Sequence, residues 1–243
     1  ALEAGHDVIC EKPMALNAED AARMVDVVED TGRLLMIAQV LRFWPEYEYL
    51  TELIKTQPYG ALQSLNMRRV GGRPGWSPDN WFLDPKLSGG AILDLHIHDV
   101  DYANAVFGKP DRIYATGRQT KAAKAYDVIH ACFTYDDGPQ VHMHAGWAAG
   151  DIPFTAGFEA WFDEAFVRYE QGKLKVFADG NDGEPIEPTF ESPDGYLNEI
   201  AYFLDCVAAG AQPVRCTPAS TQDSLVLIAA ELESADAGTI VEL

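Results

Sequence analysis

Residues 88–108, SGGAILDLHIHDVDYANAVFG, constrain this chain most, because Asp94, His96, His98, Asp99 and Asp101 lie inside an otherwise apolar run. A buried carboxylate or imidazole needs a partner or a task. Two periods compete. Asp94, His96 and His98 alternate with Leu95 and Ile97 like a strand, whereas Asp94, His98 and Asp101 recur like a helix. The apolar run continues through Tyr102, Ala103, Ala105, Val106 and Phe107 and stops at Gly108, two residues before Pro110, which predicts a mostly buried helix. Its geometry sets Asp94, His98 and Asp101 on one face and turns His96 to nearly the opposite side with Asp99 and Ala103. Gly89 and Gly90 precede it, where another backbone or a ligand can come close and the helix N-terminus favours negative charge. Alone, D-x-x-x-H also describes a satisfied polar network in a core helix.

The chain has 243 residues and 47% hydrophobic content, enough for a sizeable core in one large domain or two small ones. Its formal net charge of -20 repels nucleic acid and anionic membranes, so neither is an expected partner. Cys10, Cys132, Cys206 and Cys216 show no C-x-x-C spacing, which predicts reduced thiols in a cytoplasmic protein rather than a disulfide or zinc framework. No apolar run is long enough to cross a membrane.

Residues 1–5 read as the tail of a helix with a glycine stop, followed at once by a buried strand over 7–10; this opening predicts that an N-terminal part lies outside the chain. The strand runs into Glu11, Lys12 and Pro13, a charged pair at the carboxyl end of a strand, where open α/β sheets bind ligands. Asn17 caps a helix over 18–31 that stops at Gly32, and 34–40 read as a second strand. Strand, helix, strand at this spacing is a βαβ unit, so residues 1–40 look like the end of a parallel sheet. A helix follows over 46–56, then a strand over 62–70. Residues 71–85 form a loop of turn formers whose Trp76, Trp81 and Phe82 could stack on a sugar-like ligand or anchor the loop by packing.

Six short segments at 111–119, 127–135, 141–146, 157–161, 164–170 and 173–177, with hairpin turns at Asp136-Asp137-Gly138 and Gln171-Gly172, predict a mainly antiparallel sheet on which the charged helix packs. His142 and His144 lie on one face of a strand and read as structural. Residues 181–193 are acidic with three prolines and read as a surface loop. Helices over 196–209 and 219–237 and a short strand over 239–243 close the chain. No G-x-G-x-x-G occurs, so the chain carries no dinucleotide phosphate loop of its own.

Glu11-Lys12-Pro13 at a strand end, and Gly89-Gly90 leading into Asp94, His98 and Asp101, together resemble the Gfo/Idh/MocA oxidoreductases, which include glucose-fructose oxidoreductase and inositol dehydrogenases. In that family a Rossmann domain ends in E-K-P, and an α/β domain carries G-G-G-x-x-x-D-x-G-x-H-x-x-D. The resemblance covers nearly the whole chain, including its final ESADAGTIVEL with Glu233 in the expected position. Ser88 replaces the first glycine of the motif, and His96 replaces the glycine between aspartate and histidine.

The resemblance implies an α/β (α+β) fold: residues 1–40 as the βαβ end of a dinucleotide-binding domain, and 41–243 as a substrate and oligomerisation domain with a large, mainly antiparallel open sheet and helices on one face, its last helices returning toward the first part. It implies NAD or NADP as cofactor, hydride transfer to or from a secondary alcohol or carbonyl of a sugar or polyol, and a homo-oligomer, dimer or tetramer, built through the sheet. It makes His98 the base, Asp94 the group that orients the imidazole and binds a neighbouring hydroxyl, and Lys12 the cation that stabilises charge on the oxygen. Glu11, Lys12 and Pro13 would hold the cofactor across a cis Lys12–Pro13 bond, and Arg42, Trp76, Asn80 and Trp81 would join Asp94 and His98 around the substrate. Trp44 and Arg69 are weaker candidates of the same kind.

Two other readings compete. A metal-dependent hydrolase would use the H-x-H pair His96 and His98 with Asp94 or with His142 and His144, and requires residues 94–98 to be a strand. A catalytically inactive module would keep the sheet and associate through it without turnover.

Overall fold

The computed structural model describes residues 1–120, 124–192 and 194–243. Strand β1 (Val8–Glu11) pairs in parallel with β2 (Leu35–Ala38) across helix α1 (Ala18–Thr31). The Asn17 side chain accepts the Asp20 N–H at 2.8 Å, and Gly32 ends α1 in the left-handed region. Residues 2–4 form one 3-10 turn closed by Gly5.

The expected strand over 34–40 is shorter. After β2 the chain turns through a 3-10 segment, Val40–Phe43, into α2 (Pro45–Thr56), because buried Val40, Leu41 and Phe43 pack inward from a turn rather than from an extended edge.

Eight strands form the large sheet: β3 (Leu62–Gly72), β4 (Arg112–Arg118), β5 (Val128–Thr134), β6 (Gln140–Ala148), β7 (Thr155–Phe162), β8 (Ala165–Glu170), β9 (Lys173–Ala178) and β10 (Val241–Glu242). Their order is β10-β4-β5-β6-β3-β7-β8-β9, antiparallel throughout except for the central pair β3 and β6. One face of alternating residues, including Leu65, Met67, Ile113, Ile129, Phe133, Met143, Phe158 and Val167, is buried. The other face leaves Tyr114, Trp161 and Phe177 exposed. Gln171 and Gly172 both take positive φ, as a two-residue hairpin loop requires.

Helix α6 (Pro218–Ala237) packs against α1, β2 and β4, and α5 (Gly195–Ala209) against the 40–43 turn. Residues 181–192 hold a single bridge, Ile186 to Val176, and Pro193 of that expected loop lies outside the described residues. The loop expected over 71–85 is more ordered than its turn formers suggest: β3 runs to Gly72, residues 78–83 make a 3-10 segment, and a one-turn helix α3 (Pro85–Ser88) is capped by the Asp84 carboxylate.

The charged segment is helical, with a defect. Residues 92–96 form a π turn, closed by the Ile97 N–H to the Ile92 carbonyl, before α4 (Ile97–Phe107) continues as an ordinary α-helix. Gly89 and Gly90 enter this turn with φ of 73° and 68°. A Cβ on Gly89 would lie 2.3 Å from Leu93 Cδ1, so a side chain is excluded there as well as disfavoured by backbone strain. Ser88 is tolerated in place of glycine because it is helical, and its hydroxyl donates to the Phe82 carbonyl and accepts the Gly90 N–H.

Candidate active site

A cavity of about 610 Å³ opens where the carboxyl ends of β1 and β2 meet the π turn. Glu11, Lys12, Ala38, Asp94 and His98 line it from one side, and Arg68, Arg69, Tyr169 and Gln171 from the sheet. The Lys12–Pro13 bond is cis. Lys12 Nζ donates to the Asp94 carbonyl at 2.6 Å and lies 3.4 Å from its Oδ1, both side chains less than a fifth exposed. The other carboxylate oxygen, Oδ2, accepts the Trp147 indole N–H at 3.1 Å. Burial pulls the Lys12 ammonium below its ordinary pKa, and Asp94 offsets only part of that.

His98 sits beside this pair with Nδ1 buried and without a partner. Burial, then the positive charges of Lys12 and Arg69, hold its imidazole well below the ordinary histidine range, so it is neutral at physiological pH. The site thus joins a fixed cation, a fixed carboxylate and an uncharged nitrogen base within one recess, the components for moving a proton on or off a hydroxyl while stabilising charge on its oxygen.

Several expectations are corrected. Asp94 does not orient the imidazole; its bonds go to Lys12 and Trp147, and none joins it to His98. Asp101 shares a helical face with Asp94 and His98 in sequence but does not line the cavity, and it ties α4 to its neighbours instead. It accepts the Arg42 guanidinium through both oxygens, at 2.7 and 2.8 Å, and the Ser224 hydroxyl at 2.9 Å. Arg42 is therefore occupied by Asp101 and does not line the cavity.

Trp76, Asn80 and Trp81 do not line it either. Both tryptophans lean on Phe82, at 5.3 and 4.6 Å between ring centroids, and Phe82 leans on Trp147, while Asn80 is exposed. Their rings anchor the loop behind Trp147. The aromatic walls of the cavity are instead Trp44, Tyr47, Phe154, Tyr169 and Tyr196, with Trp44 Nε1 donating to the Tyr169 hydroxyl at 3.2 Å. Sequence spacing carries no signal for Tyr169, Tyr196 or Trp147, which arrive from other strands and from α5.

The H-x-H reading fails on geometry: residues 94–98 are helical, His98 faces the cavity, and His96 faces Glu231 in α6 at 2.9 Å. His130 and His144 stack on the open face of the sheet, 4.3 Å apart.

Residues 1–39 match the oxidoreductase family with an NAD-binding Rossmann fold, and residues 47–167 match the GFO/IDH/MocA C-terminal domain. The trans-1,2-dihydrobenzene-1,2-diol dehydrogenase of Bos taurus is 32% identical over 96% of this chain and 71% of its own length. The chain belongs to the Gfo/Idh/MocA oxidoreductase family. A D-xylose 1-dehydrogenase (NADP(+)) of Haloferax volcanii is 29% identical over the whole chain and 75% of its own length. Among solved structures, the aldose-aldose oxidoreductase from Caulobacter crescentus complexed with glycerol superposes with a TM-score of 0.88 at 21% identity, over the whole chain and 74% of that protein. Membership makes this an NAD(P)-dependent oxidoreductase with a mixed α/β fold.

The cavity's lining suits the nicotinamide end of a dinucleotide: two parallel strands deliver Glu11 and Ala38 to it, and Lys12 and His98 line it together. No G-x-G-x-x-G occurs in the 243 residues to cradle the diphosphate end. No helix among the described residues is long and apolar enough to cross a membrane.

Proposed function

We propose that this chain carries the substrate and nicotinamide-facing half of a dehydrogenase that oxidises a secondary alcohol of a sugar or polyol, or reduces the corresponding carbonyl, with NAD or NADP. The observation that carries the reading is the Lys12–Asp94 pair, tied at 2.6 Å through the Asp94 carbonyl, beside a neutral histidine in one cavity at the end of β1. A bound nicotinamide supplies the two-electron acceptor or donor. Glu11, Lys12 and Pro13 would hold it, residues 1–40 being the dinucleotide-facing part and 41–243 the substrate part. His98 accepts the hydroxyl proton as the carbon gives up its hydride, because a neutral imidazole has a free lone pair where a protonated one has none. Lys12 donates to the oxygen as negative charge builds on it, and Asp94 keeps the ammonium in place. The rings of Trp44, Tyr169 and Tyr196 offer apolar faces of the kind that sugar C–H groups pack against.

The relatives named for D-xylose and for a dihydrobenzene 1,2-diol support a hydroxyl-bearing small molecule as substrate. Tyr114, Trp161 and Phe177 on the open sheet face support a homo-oligomer built through that face, and four free cysteines suit a reducing, cytoplasmic setting.

The test is nicotinamide reduction at 340 nm over a panel of aldoses and polyols, with NAD and NADP separately. Lys12→Met is expected to lower kcat by 100-fold or more while the fold is retained. If no aldose or polyol is turned over with either nicotinamide, or if Lys12→Met keeps full activity, the reading fails.

A further inference from the structure

His96 stands where the family motif carries glycine, and nothing in the chemistry above uses it. Its Nε2 lies 2.9 Å from Glu231 Oε2, and both side chains are wholly buried. The remaining atoms, His96 Nδ1 and Glu231 Oε1, have no partner, so each group keeps one bond and forfeits the rest of its hydration. Buried polar groups are ordinarily satisfied, and a half-satisfied pair this close to a site points to a task.

The position suggests which task. His96 closes the π turn 92–96 and stands two residues from Asp94, while Glu231 belongs to α6. A π turn is uncommon, and the ordinary α register would rotate Asp94 relative to α4. The turn is pinned on the cavity side, where Asp94 meets Lys12 and Trp147. On the other side the side-chain tether is His96 to Glu231, across 135 residues of sequence. Glu233, two residues on, is exposed and offers no such bond.

We propose that His96 and Glu231 form a buried positioning couple that holds the π turn in the register aiming Asp94 at Lys12. The proposal rests on the reading of Lys12, Asp94 and His98 as the hydride-transfer site. Neither member touches the cavity, so the couple acts through the turn. The charged and titratable groups around His96 are Glu231 from α6, Asp99 from α4, Arg69 from β3 and His144 from β6. Burial alone would lower the imidazole's pKa; the charge and hydrogen bond of Glu231, with a smaller push from Asp99 against Arg69, leave it raised. The couple is therefore at its strongest below the imidazole's raised pKa and weakens as pH climbs through it.

The indole N–H of Trp147 reports on Asp94 directly, since it donates to the carboxylate. In the wild-type protein its proton–nitrogen resonance, assigned among the five tryptophans with a Trp147→Phe variant, is expected to titrate with the same midpoint as the His96 ring resonances. Glu231→Gln, which preserves shape and removes charge, is expected to move the Trp147 resonance, to lower kcat about 10-fold with KM for the sugar within 2-fold, and to shift the alkaline limb of the kcat profile to lower pH. His96→Gln, which retains a neutral donor, should fall between the two. A Trp147 resonance indifferent to the His96 titration and to Glu231→Gln overturns the couple, whatever happens to stability, because it would then be packing alone. A protein that turns over no sugar overturns the dehydrogenase reading instead, and the Trp147 titration still decides the couple.

Discussion

Glu199 in α5 is 2% exposed, its Oε2 has no hydrogen-bond partner, and burial, with the nearby charge of Glu11, pushes its pKa up to about 7. The unfolded chain releases that proton near the ordinary value of 4.5. A raised carboxyl pKa means that the folded state holds more protons between those two values, so stability is fully present below the lower one and is lost as pH rises through the upper. From the two pKa values, about 1.4 kcal/mol has gone by pH ~5.5 and about 3.4 kcal/mol by pH ~8.5, a further loss of roughly 2 kcal/mol across the window.

Glu199→Gln imitates the protonated side chain and removes the titration. Urea unfolding of wild type and variant, followed by tryptophan fluorescence at several pH values above the isoelectric point near 4.5, isolates the group, because every other titration cancels in the difference. The variant's advantage should grow by about 2 kcal/mol from pH ~5.5 to pH ~8.5. A difference that stays flat within about 0.5 kcal/mol would refute the claim that Glu199 is buried without a compensating partner.

Other perturbations follow from the same geometry. Asp101→Asn leaves the Arg42 guanidinium buried and unbalanced, and should cost about 3–5 kcal/mol by thermal or urea unfolding; a loss under about 1 kcal/mol would mean that the pair is not desolvated. Gly89→Ala and Gly90→Ala share the strain of positive φ, but only the first meets Leu93, at 2.3 Å against 3.9 Å to Pro85 for the second. Gly90→Ala should therefore cost about 1 kcal/mol and Gly89→Ala at least twice that, and equal melting shifts would contradict the packing. His98 works in the opposite sense to Glu199. Its folded pKa is depressed, so its contribution is present above the unfolded value of about 6.5 and lost as pH falls; His98→Asn should flatten that acid-side decline in urea midpoints between pH ~7.5 and ~5.5.

Local signals in the sequence located the elements well. The Asn17 cap, the Gly32 and Gly238 stops and the hairpin at Gln171-Gly172 are chemistry within a few residues, and the helices and strands fall close to where that chemistry sets them. The motif positions Lys12, Asp94 and His98 do meet in one cavity. The failures lie where partners are distant or a helix departs from its period. An even 3.6-residue period cannot register a π turn at 92–96, and the face that groups Asp101 with Asp94 and His98 in sequence gives no sign of its partner Arg42, 59 residues away. Trp76 and Trp81 look like ligand-stacking rings in a polar loop, and only the structure reveals Phe82 and Trp147 as what they pack against. The resemblance implies that Asp94 orients His98, whereas its hydrogen-bond partners Lys12 and Trp147 are 82 and 53 residues away.

The central pairing of β3 with β6 has a consequence for how the chain is made. Parallel neighbours cannot be joined by a hairpin, so β3 waits for residues 140–148 before its ladder closes on that side, and Lys12 waits 82 residues for Asp94. His96 waits longer still, for Glu231, 135 residues further along the chain. During synthesis the ribosome therefore holds a chain whose sheet can assemble from the middle outward while the turn bearing Asp94 lacks its anchor, and the recess takes its final form only after α6 has emerged.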